Sequence, residues 1–189
     1  MTDDDNGDYS ADFVMNRDGY ITVSVVLARK GGLYAEYFNN AFLSGEPTVA
    51  DRVDNVMKFD WGYDLLTPTS GDFVSIHWYG KILSPATEDF TFILSGDDGF
   101  KMYLDGVLLI DRWNWCCDDM AVTVPLIEGT FYDLVLEYKE LQNLASFNFE
   151  WYSPSVLRQT VPPTNLYYSQ RINNLVYQVE VVKGPSIPA

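Results

Sequence analysis

The chain has 189 residues, enough for one ordinary domain with a buried core and part of a neighbour. Hydrophobic residues make up 47% and aromatics 15%, and 13 Gly and 9 Pro are spread along the chain, which excludes a disordered or low-complexity polymer. A formal charge of −15, from 27 acidic against 12 basic residues, repels phosphate backbones and anionic surfaces, so neither nucleic acid nor direct membrane insertion is expected. The same field attracts cations, although a solvated acidic face also explains charge of this sign.

In chain order, the opening MTDDDNGDYS lacks the basic start and apolar stretch of a signal peptide, and reads as the start of an excised piece of a longer chain. Runs of alternating, β-branched and aromatic residues then predict strands at Tyr20–Ala28, Leu33–Phe38, Phe73–Tyr79, Glu88–Leu94, Lys101–Leu104, Val107–Asp111, Ala121–Leu126, Thr130–Tyr138, Ser146–Tyr152 and Val176–Val182. Asp105-Gly106 stands between two apolar runs and predicts a tight hairpin, because this pair tolerates positive φ. Short strands at regular spacing with turn residues between them specify an all-β sandwich or barrel.

Asp97-Asp98-Gly99 falls between two of these strands. Its plain reading is an Asp-Gly turn in which one carboxylate caps the loop; its functional reading is a pair of hard-cation ligands. Downstream, 111–119 (DRWNWCCDD) gathers two Trp, two Cys and acidic residues in one turn region. Sugars stack their apolar faces on aromatic rings and hydrogen-bond to Asp, Asn and Arg, so Trp113, Asn114 and Trp115 are candidate ligand-binding residues. Cys116 and Cys117 are the only cysteines, so an intramolecular bridge has to be vicinal; two free thiols or an intermolecular bridge remain open alternatives. The lone His77 has no partner for a zinc site or a triad, nothing fixes a separation between Asp105, Asp111, Asp118 and Asp119, and no phosphate loop or nucleophile elbow is present. The chain is not expected to be an enzyme.

Several blocks carry a family resemblance: Gly32-Leu33-Tyr34-Ala35-Glu36-Tyr37-Phe38, Phe59-Asp60-Trp61, His77-Trp78-Tyr79-Gly80, the long Phe90-to-Gly106 block with Asp97-Asp98-Gly99 inside it, Leu126-Ile127-Glu128-Gly129, Phe149-Glu150-Trp151 and Val161-Pro162-Pro163. Together they resemble the PA14 domain along residues 31–170. The resemblance implies a PA14-type β-sandwich or barrel, as in adhesins, toxins and glycosidase accessory regions. In lectin members an Asp-Asp pair joined by a cis peptide holds a calcium ion that bridges to sugar hydroxyls. Carried over, that implies calcium as cofactor, with Asp97 and Asp98 as ligands. Glu140 adds a side chain and Gln142 and Leu144 add backbone carbonyls from a loop spanning 139–144, with Gln142 and Asn143 as specificity contacts. Glu140 departs from the Asn often found there. Cys116-Cys117, if bridged, would be a rigid apolar sugar contact. Since non-lectin members share the fold, function has to be argued from the site.

The two ends, 8–30 and 171–189, resemble terminal strands of a filamin-type immunoglobulin-like repeat and are expected to pair. The expected function is a calcium-dependent carbohydrate-binding module of a large cell-surface or secreted adhesin, with glycans and neighbouring Ig-like repeats of the same chain as partners. The alternatives are a structural or protein-binding spacer in an extracellular filament and an accessory domain of a glycan-active enzyme.

Overall fold

The computed structural model describes the backbone of residues 2–3, 9–10 and 19–181 and the side chains of residues 27–169. The strands are β1 (Thr2–Asp3), β2 (Tyr9–Ser10), β3 (Gly19–Lys30), β4 (Leu33–Phe38), β5 (Val49–Asp54), β6 (Lys58–Gly62), β7 (Val74–Leu83), β8 (Glu88–Asp97), β9 (Gly99–Leu104), β10 (Val107–Asp111), β11 (Met120–Leu126), β12 (Phe131–Glu140), β13 (Ala145–Tyr152), β14 (Gln159–Thr160) and β15 (Leu166–Val181). One turn of 3-10 helix, Pro163–Asn165, is the only helix among the described residues, so the class is all-β as expected.

The chain divides into two compact units, 1–27 with 171–189, and 28–170. In the first, β1 pairs with β2, and β3 is the sheet neighbour of β15. The Ig-like reading of the ends rests on side chains that lie outside the described residues.

The larger unit is a sandwich of two antiparallel sheets. One runs β10-β9-β12-β7-β4-β5, with the start of β15 (Leu166↔Ile82) also on β7. The other runs β11-β8-β13, with β6 and β14 on the far side of β13. Alternation explains the strands: on β13, Ala145, Phe147, Phe149 and Trp151 are buried while the residues between them are not. Trp78 of β7 sits at the centre, with ring centroids of Phe147 at 4.8 Å and Phe59 at 5.5 Å. Asp105 and Gly106 have φ of 49° and 76° and pair Leu104 with Val107, the hairpin read from the sequence. The sequence reading missed β5, β6 and β14, which carry charged or interrupted patterns (VADRVD, KFDWG, QT) and are recruited by neighbours instead of by their own periodicity.

Candidate functional site

The chain changes sheets at Asp98. Strand β8 ends at Asp97 in one sheet, paired with Ser146, and β9 begins at Gly99 in the other, paired with Lys139. Asp98 is the single residue between them, and the Asp97–Asp98 peptide is cis. Its N–H donates to the Lys139 carbonyl at 3.3 Å, and its Oδ2 accepts the Leu141 N–H at 2.7 Å. These bonds fix the pair against the end of β12.

That end supplies the third carboxylate. The inward phase of β12 runs Leu134, Leu136, Tyr138, Glu140, so Glu140 occupies a core position and is completely buried. This corrects the sequence reading, which ended the strand at Tyr138 and put Glu140 in a loop. Pairing with Val74 carries β12 two residues further, and the loop proper is Leu141–Leu144. Carboxylate oxygens of Asp97, Asp98 and Glu140 lie within 4.8 Å of one another. Two oxygens on opposite sides of one calcium-sized ion are about 5 Å apart, so one ion can touch all three.

A buried carboxyl normally finds partners for both oxygens. Glu140 Oε2 is 3.1 Å from the Tyr138 hydroxyl, which also donates to the Asp97 backbone carbonyl, but Oε1 has no hydrogen-bond partner. Burial, and next the Asp98 charge, push Glu140 up to about 8. Burial and the neighbouring Asp98 also raise Asp97. The site is therefore an all-oxygen cluster short of positive charge, the donor chemistry that a hard cation takes.

A groove of about 220 Å³ opens beside Asp98, lined by Trp113, Asn114, Trp115, Cys116, Lys139 and Leu141. Gly99 makes it possible, because a Cβ there would collide with the Trp113 carbonyl. The Trp113–Cys117 loop is held by Arg112 Nη2 donating to Asp118 Oδ2 at 2.7 Å and by the Trp113 N–H donating to Asp111 Oδ1 at 3.0 Å. Cys116 and Cys117 are placed together as a vicinal disulfide, one of the three alternatives left by the sequence. Their sulfurs lie 2.9 and 3.2 Å from Asp97 Oδ1; bridged sulfurs carry no proton, so these are S···O contacts and not hydrogen bonds.

The two tryptophans differ. The Trp113 ring has the Lys101 and Lys139 ammonium groups 4.9 and 5.1 Å from its centroid, which occupies it with cation–π contacts. Trp115 is 68% exposed and presents a free aromatic surface. Gln142 and Asn143 do not line this groove. They line a second depression with Tyr63, Asp64, Leu65 and Asp72. Leu144 closes the loop with a half-exposed side chain.

Sequence reasoning missed Lys139, Tyr63 and Asp72. Lys139 is buried, and that burial, together with the nearby Lys101, lowers its pKa. Asp72 Oδ1 accepts the Asn143 N–H at 3.2 Å. The one signal available was Glu140 on the apolar phase of its strand.

A family model described as the PA14 domain matches residues 29–165. The chain belongs to the PA14 family. The PA14 domain here is 35% identical over 140 residues to the anti-sigma-I factor RsgI3 of Acetivibrio thermocellus, a match covering 73% of this chain and 21% of that protein. A solved anti-sigma factor domain-containing protein shares 34% identity at a TM-score of 0.70, over 75% of this chain and 48% of that one. The chain thus spans about a fifth of the curated relative and about half of the solved one. The epithelial adhesin 6 A domain from Candida glabrata, solved in complex with Galβ1-3GlcNAc, shares the fold at a TM-score of 0.61 and 14% identity, over 85% of this chain and 96% of that one.

Proposed function

We propose that this PA14 domain is a non-catalytic, calcium-dependent carbohydrate-binding module of a larger extracellular or cell-surface protein. The observation that carries the reading is the convergence of Asp97, Asp98 and a buried Glu140 whose Oε1 is unpartnered. A buried carboxyl oxygen without a partner is costly, and a divalent cation that displaces the carboxyl proton would engage it while leaving coordination positions for sugar hydroxyls. In this reading Gln142 and Leu144 contribute backbone carbonyls. Trp115 and the Cys116–Cys117 bridge provide an apolar wall against which a sugar ring packs. The bridge also favours an oxidising compartment.

For the parent protein, the identity above 30% to proteins named as anti-sigma factors favours a signalling architecture over an adhesin. There this domain would be the part that reads glycans. The test is thermal melting with and without calcium: millimolar calcium raises the midpoint of the intact chain, EDTA reverses the rise, and Asp97→Ala and Asp98→Ala abolish it. A glycan array read with and without calcium then tests sugar recognition. An unchanged melting curve in EDTA rejects the metal site and leaves a structural spacer.

A further inference from the structure

The 141–144 loop separates two concavities. Leu141 belongs to the groove beside Asp98, whereas Gln142 and Asn143 belong to the second depression. The groove, at about 220 Å³, falls below the roughly 300–1,000 Å³ typical of small-molecule sites, and the second depression, at about 510 Å³, falls within that range.

The dividing loop is clamped from both sides. Leu141 N–H donates to Asp98 Oδ2 at 2.7 Å, Asn143 N–H donates to Asp72 Oδ1 at 3.2 Å, and Phe73 N–H donates to the Leu141 carbonyl at 3.2 Å. The opposite wall is also tied down: the Asp64 N–H donates to the Trp61 carbonyl at 2.9 Å, and the Leu66 and Thr67 N–H groups both donate to the Ser70 carbonyl at 3.0 Å. On this fixed frame Tyr63 is 78% exposed and Leu65 60% exposed, and Asp64 and Gln142 line the same depression. An exposed aromatic ring sharing a depression with a carboxylate and an amide is the combination that packs on a sugar face while hydrogen-bonding its hydroxyls.

We propose that the depression between Tyr63–Leu65 and Gln142–Asn143 is a second sugar subsite, so that the domain takes a segment of an oligosaccharide chain rather than one terminal sugar. The proposal rests on the carbohydrate-binding reading above. The calcium site holds one ring at the Asp98 groove, and the chain passes over the clamped loop so that a further ring lies against Tyr63.

The test uses the intact chain in calcium against ladders of one, two, four and six sugar units, built from neutral hexoses, from pentoses and from uronic acids. Affinity for the ladder that binds is expected to rise about tenfold or more between one and four units. Tyr63→Ala with Leu65→Ala removes that gain, while monosaccharide affinity and the calcium-induced rise in melting temperature stay at the parent level; Tyr63→Phe retains the gain. Equal affinity for one and four units, or a double variant that keeps the gain, overturns the second subsite and leaves the carbohydrate-binding reading intact. Failure of every ladder at every length, despite a normal calcium shift, overturns both.

Discussion

Two buried carboxylates in the same sandwich show opposite designs. Asp54, at the end of β5, is 5% exposed and fully engaged. Its Oδ2 accepts from the Tyr37 hydroxyl at 2.6 Å and the Trp78 indole N–H at 2.8 Å, and its Oδ1 accepts from Arg52 Nε at 2.7 Å. Glu140, at the end of β12, is more deeply buried, has one hydroxyl neighbour and faces two more acids. The first is a structural rivet that ties β4, β5 and β7 together. The second is an acidic cluster that the protein leaves incompletely partnered, so two buried carboxyls in one core have different surroundings.

The largest expected effect comes from breaking the satisfied member. Asp54→Ala strands the Tyr37 and Trp78 donors in the core and should cost about 3 kcal/mol in urea unfolding, while the chain that remains folded keeps its calcium response. A loss of calcium binding with little loss of stability would reverse the assignment of the two carboxylates.

Glu140 gives the next effect, through pH. Its folded pKa lies at about 8, above the ordinary carboxylate value of 4.5, so between those values the folded chain holds a proton that the unfolded chain has released. Stability of the metal-free chain contributed by this group is therefore present below pH 4.5 and is lost as pH rises towards 8. Calcium has to displace that proton, so its apparent affinity should rise about tenfold per pH unit across pH 6 to 7 and level off near 8. Isothermal titration at several pH values checks this slope. Glu140→Gln removes the group's contribution, weakening calcium and flattening the profile.

The smallest effect is at the surface. Trp115→Ala should leave melting unchanged within about 0.5 kcal/mol, because the side chain is 68% exposed, and should weaken sugar binding by about 1 kcal/mol. Trp113→Ala should behave in the opposite way, costing stability through the lost contacts with Lys101 and Lys139.

Much of this was legible in the chain. The alternating strands, the Asp105-Gly106 hairpin and the Asp97-Asp98-Gly99 turn each depend on neighbours a few residues away, and local sterics and period-two burial determine them. The candidate residues Trp113, Asn114, Trp115 and Cys116 were found because their chemistry is compressed into one turn. The tertiary structure decided what depends on distant neighbours. It extended β12 to Glu140 by pairing with β7 and joined the two sulfurs as a vicinal pair. It covered Trp113 with two lysines from separate strands, and assigned Gln142 and Asn143 to a depression whose other wall lies some seventy to eighty residues earlier in the chain. Sequence periodicity carries no information about contacts of that separation, because which sheet face meets which loop is set only when the two sheets pack.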